Sequence, residues 1–84
     1  MATHNKMKPF CKLLGRRHTL FGANGLLTLV DPIGVCVRRF TQDKESGKWI
    51  ITNSLGMWVG SAKDTAEAEY IASQYVTAHE KENE

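Results

Sequence analysis

The stretch Ile33–Gly60, IGVCVRRFTQDKESGKWIITNSLGMWVG, decides the fold. Ile33–Thr41 is rich in β-branched and aromatic residues and reads as one long strand. Gln42–Gly47 is a polar turn, and Lys48–Asn53 is the returning strand. Ser54–Leu55–Gly56 turns again, and Met57–Gly60 gives a short third strand. Neighbouring strands joined by connections this short pair antiparallel, so residues 33–60 are expected to form a three-stranded meander.

Upstream, Asn24–Gly25 lies between Thr19–Phe21 and Leu26–Val30. Both residues tolerate positive φ, as a tight hairpin turn requires, so a hairpin is expected over 17–30. Asp31–Pro32 ends it, because proline offers no N–H. Phe10–Leu14 is a further short run with strand character. Downstream, Asp64 and Glu67 stand in the spacing of a helix cap, with Glu67 three residues on as its partner. Ala68, Ile71, Ala72, Tyr75, Val76 and His79 then form one apolar stripe, which predicts a helix over 64–79. The meander has an apolar face to bury and the helix a stripe to bury, and a short link brings them together. The expected class is α+β: a small antiparallel sheet, extended by the N-terminal hairpin and packed against one C-terminal helix. Residues 1–9 are expected to be flexible, 10–80 to form one domain and 81–84 to be a charged tail.

An 84-residue chain with 42% apolar residues supports a single small core. It holds no apolar run of the roughly 18 residues that a membrane span needs, and the polar face of the predicted helix is acidic, so no membrane association is expected. No apolar stretch of signal-peptide type follows the lysine-bearing segment Met1–Lys12, and a cytoplasmic location is expected. Cys11 and Cys36 share no CxxC spacing and are expected to be reduced, buried thiols. His4, His18 and His79 lack zinc-ligand spacing, and no metal or cofactor is expected. Cys11 or Cys36 with His18 is the one nucleophile–base combination available, and no spacing supports it. The chain is therefore expected not to be an enzyme.

Net charge is +2, but its distribution is uneven. Residues 1–48 hold nine basic side chains and three acids, and the remainder holds two basic side chains and six acids. A basic half beside an acidic half suits a polyanion, or equally an ordinary domain with unevenly placed solubilising charge. Strict alternation puts Val35, Val37, Arg39 and Thr41 on one face of their strand and Cys36, Arg38 and Phe40 on the other. One arginine should therefore stand on whichever face the helix leaves open. Period two alone leaves open which of Trp49 and Trp58 is buried.

Gly34–Val35, Arg38–Arg39, Gly47–Lys48–Trp49, Trp58–Val59–Gly60 and Asp64–Thr65–Ala66–Glu67–Ala68 together resemble the ordered signature of the APETALA-type (ethylene-response-factor) DNA-binding domain, which also occurs in phage and mobile-element proteins. The resemblance covers residues 33–76. It implies a three-stranded sheet backed by one helix that reads the DNA major groove with arginine and tryptophan from the sheet. Carried over residue by residue, it makes Arg38, Arg39, Lys48, Trp49 and Trp58 DNA contacts, and the charge pattern adds Arg16 and Arg17. The sequence departs from the family in a longer first connection and in one extra residue after Gly60. Ile50–Asn53 is uncharged where the family places DNA-binding charges, and Met57 stands where a basic residue is common.

Two functions follow as expectations. One is a small nucleic-acid-binding module that holds DNA through the basic sheet face. The other is a phage or prophage accessory protein that binds a larger host protein and modulates or inhibits it. A homodimer through an exposed sheet edge is a further expectation.

Overall fold

The computed structural model describes residues 9–82; the flexible segment expected at 1–8 and the tail residues 83–84 lie outside it. Six strands and one helix follow in order: β1 (Phe10–Leu14), β2 (His18–Ala23), β3 (Leu26–Val30), β4 (Cys36–Gln42), β5 (Trp49–Asn53), β6 (Trp58–Ala62) and α1 (Thr65–Glu82). All six strands form one antiparallel sheet in sequence order, so the N-terminal hairpin and the meander are one continuous surface. The class is α+β, as expected. The strand from Ile33 starts three residues later, at Cys36, and the third strand of the meander shifts from 57–60 to Trp58–Ala62. The helix runs on to Glu82, through two positions of the expected tail.

The turns explain the continuity. Asn24 and Gly25 have φ of 34° and 78°, the pair of positive values that closes a two-residue hairpin with the twist of its strands. Two later connections share a second design. Asp31 and Asn53 each accept two backbone N–H groups on Oδ1, from Ile33 and Val35 in one case and from Leu55 and Met57 in the other. Each loop then closes through the same backbone pair, Asp31 N–H to Val35 O and Asn53 N–H to Met57 O. Gly34 and Gly56 stand three residues on, at positive φ. The β4–β5 turn is a variant one residue longer: Asp43 accepts the Glu45 N–H on Oδ1 and the Ser46 hydroxyl on Oδ2, Ser46 in turn accepts the Lys48 N–H, and Gly47 stands four residues on at positive φ.

Each of the two matched loops is followed by a bulge. Val37 is the extra residue between the pairs Leu29–Arg38 and Val30–Cys36. Val59 is the extra residue between Ile51–Gly60 and Thr52–Trp58. A bulge resets which side chain faces which way. This corrects the alternation expected for 33–41: Cys36 pairs with Val30, on the face away from Phe40, and Val37 packs against the core.

The helix covers one face, here the rear. Leu20, Leu27, Leu29, Phe40, Trp49, Ile51 and Ala62 of the sheet are buried with Ala68, Ala72 and Val76 of α1. The alanines let the helix axis lie close to the sheet, and Ile71 and Tyr75 close its flank. The helix begins as the sequence predicts. Asp64 Oδ1 accepts the Glu67 N–H at 2.8 Å, and Glu67 reaches back to the Lys63 N–H at 2.7 Å. Trp49 Nε1 donates to Thr65 Oγ1 at 3.2 Å, tying the strand β5 to the first helical residue. At the other edge, Lys12 of β1 pairs with Glu69.

Candidate binding surface

The front of the sheet carries no helix. Its side chains follow from the register. The middle row reads Cys11, Phe21, Thr28, Arg39, Thr52 and Trp58 across all six strands. The row beside it reads Ala23, Leu26, Thr41, Ile50 and Ser61. Leu13, Thr19, Val30 and Cys36 line the opposite margin. Leu13, Phe21, Leu26, Ile50 and Trp58 are all exposed. Six strands about 4.8 Å apart and about five residues long give a face on the order of 400 Å². Apolar side chains gathered on one open face mark contact surfaces, whereas apolar side chains scattered singly carry no such meaning.

Charge on this face is sparse and of one sign. The described carboxylates stand in interstrand turns, in the link from β6 to α1 and on α1. Arg39 is exposed near the middle of the sheet and has no hydrogen-bond or ion-pair partner for its guanidinium among the described residues. Threonines flank it on both neighbouring strands. The result is a lone cation framed by hydroxyls and then by apolar side chains.

The seven residues expected to touch nucleic acid separate into groups. Arg39 and Trp58 share the front, two strands apart in one row with Thr52 between them. Trp58 is 66% exposed; Trp49 is fully buried and faces the helix. The bulge at Val59 makes the difference, because unbroken alternation back from Ala62 turns Trp58 to the rear with Gly60. Lys48 is exposed immediately before β5, at the rim. Arg38 faces the rear, where its guanidinium lies 4.6 Å from the centre of the Tyr75 ring and donates to Val37 O at 2.7 Å. Arg16 and Arg17 sit in the β1–β2 turn, against the end of α1 rather than on the sheet face. Trp49 and Arg38 are thus engaged in packing, and the front retains Arg39 and Trp58, with Lys48 beside them.

Sequence reasoning missed Phe21, Thr28, Thr52 and Ile50 as members of this surface. The signal for them was the register of a six-stranded sheet, which depends on how the N-terminal hairpin joins the meander. Cys11 and Cys36 are free thiols, but Cys11 is exposed on β1, a correction to the expected burial, because Cys11 lies on the side that the helix does not cover. Among the described residues no group of three or more histidine, cysteine or acidic side chains is placed to hold a metal ion, and no helix is long and apolar enough to cross a membrane.

Two carboxyls are held below their ordinary value. For Asp43 the cause is chiefly the Glu45 N–H, with the Ser46 hydroxyl second. For Glu80 it is chiefly the Arg16 N–H, which acts against burial and is joined by Arg17 N–H and by His18. Both groups stabilise turns, and neither lies on the front of the sheet.

No family model, no curated protein and no solved structure matches this chain.

Proposed function

We propose that this chain is a small, non-catalytic binding module, that the front of its sheet is the contact surface, and that the partner is a larger protein presenting apolar side chains around a carboxylate. The observation that carries this is the lone Arg39 at the middle of an exposed apolar face. Buried apolar centres with an arginine anchor are the composition of protein interfaces. A second copy of the chain fits this face poorly. A two-fold axis through the sheet centre sets two Arg39 side chains opposite each other with no carboxylate between them, and such a pair is repulsive. A carboxylate from a different protein supplies the missing charge in a bidentate contact. Covering that partner's surface is the means by which such a module modulates or inhibits it. The test is affinity capture from the cells that make the chain. Native chain and Tyr70→Ala, altered on the outer side of the helix, should retain the same stoichiometric partner, and Phe21→Lys and Arg39→Glu should each lose it. Equal retention by all four overturns the proposal.

One observation supports a second reading, duplex DNA: Arg39 and Trp58, two of the DNA contacts that the APETALA-type resemblance implies, lie in one row on the open face. Magnitude weighs against it. Proteins that hold DNA tightly neutralise about six to ten phosphates, and here Arg39 stands on the front with Lys48 and Lys63 beside it at the rim, fewer than that range. Fluorescence anisotropy with labelled duplex at low and moderate salt separates the readings. Binding that is lost in both Arg39→Ala and Trp58→Ala and weakens steeply with salt favours DNA; no binding at low salt removes it.

A further inference from the structure

Behind the sheet, the β1–β2 turn and the last turns of α1 enclose a cleft of about 380 Å³, bordered by Arg16, Arg17, His18, Tyr75 and Glu80. Gly15 has φ of 63°, and after it the N–H groups of Arg16 and Arg17 both reach Oε2 of Glu80, at 2.8 and 3.1 Å. Nδ1 of His18 lies 3.5 Å from the same oxygen. The His18 residue is only 6% exposed, and its Nδ1 makes no hydrogen bond. Three nitrogens from consecutive residues thus converge on one carboxylate oxygen. Successive N–H groups after a left-handed residue form a concavity suited to an anion, and the anion here is the chain's own side chain.

We infer that the Gly15–His18 turn is an oxyanion-binding site, filled in cis by Glu80, which an external carboxylate or phosphate group enters by displacing that side chain. The two arginines of the turn border the cleft on the solvent side and give it cationic character. Asp31 also borders it, but its Oδ1 already accepts the Ile33 and Val35 N–H groups. His79 stacks on Tyr75 with ring centres 3.8 Å apart, making a flat wall beside the site. Glu80 is two residues from the last helical residue described, Glu82, and helix ends open more readily than helix centres. A ligand that binds only the opened form competes with Glu80 at the full strength of the cis contact, so the native chain binds weakly and removal of that carboxylate strengthens binding.

The experiment follows the Arg16 and Arg17 backbone amide resonances of the full chain in labelled protein. Sodium phosphate and sodium acetate are titrated separately at neutral pH, with chloride holding the ionic strength constant. Glu80→Gln should bind inorganic phosphate at least about tenfold more tightly than the native chain, a shift equivalent to one decade of affinity. Acetate moving the same amides identifies the site as general for oxyanions, and phosphate alone moving them assigns it to phosphate groups. Unmoved Arg16 and Arg17 amides in a folded Glu80→Gln protein, or equal affinities in variant and native chain, overturn the inference. If Glu80→Gln and Glu80→Ala both lose the folded spectrum, the native chain carried to high phosphate decides. Shifts of these two amides beyond the chloride control support the site, and their absence overturns it.

Discussion

Trp49 and Trp58 have the same chemistry and opposite fates, and one inserted residue separates them. Trp49 faces the helix with no exposure, and its Nε1 is bonded to Thr65. Trp58 faces solvent because Val59 is taken up in a bulge. Trp49→Ala should therefore cost about 3–5 kcal/mol in urea unfolding, the range for emptying a large aromatic site. Trp58→Ala should stay within about 0.5 kcal/mol of the native chain, because it touches the surface alone. Glu80 makes a second prediction at this scale. Its folded value is depressed, first by the Arg16 N–H, so its contribution is full above the ordinary carboxylate value of 4.5 and is lost as pH falls through the lower folded value. Glu80→Gln should flatten the stability profile below about pH 4.5, and Asp43→Asn should do so below about pH 3.8 through the β4–β5 turn. Acid titrations of each variant followed by circular dichroism check this; a Glu80→Gln profile parallel to that of the native chain contradicts it. The exposure of Trp58 was not legible in the sequence, because a bulge leaves no mark on hydrophobic alternation.

Turns and helix were more legible at the scale of elements, since each is dictated by a few neighbouring residues. Asn24–Gly25 marked its hairpin because positive φ is costly for other residue types. The alanine-rich stripe marked the helix and its buried side, and Asp64 marked its start. The matched loops were present in the sequence as Asp31 followed by Gly34 and Val37, and Asn53 followed by Gly56 and Val59. Reading them needed the recognition that one acidic or amide side chain closes a loop by capping its own backbone. Around Gly34 and Gly56 nothing stands near enough to meet an added methyl group, so substitution there reports backbone strain alone. Gly34→Ala and Gly56→Ala should each cost about 1 kcal/mol, by similar amounts, because the loops share one geometry. Gly22→Ala should cost more than either, since its added carbon runs into the Phe10 ring and touches Leu27. Thermal unfolding of the three variants tests the ranking, and a Gly22→Ala protein as stable as the loop variants would refute the packing of Phe10.

At the scale of the molecule, the helix is long enough to seal one side of the sheet and cannot seal both. The sequence announced that an arginine would stand on the open face, and Arg39 does. It did not announce how wide the face would be, because width depends on β2 and β3 joining β4 in register, a pairing of residues distant in the chain. Once joined, Phe21 and Leu26 from the N-terminal half align with Ile50 and Trp58 from the C-terminal half. Charge segregates accordingly: described acids in the turns, in the link from β6 to α1 and on the helix, and a lone cation on an apolar front.

Placing a photoreactive side chain at position 58 or at position 70, in cells that naturally make the chain, tests that assignment of the front most directly. Position 58 should yield one protein adduct of defined mass, its crosslinked peptide containing an acidic residue, and Arg39→Glu should abolish it; position 70, exposed on the far side of the helix, should yield none. An adduct from position 70 alone, or one from position 58 that survives Arg39→Glu undiminished, would contradict the account.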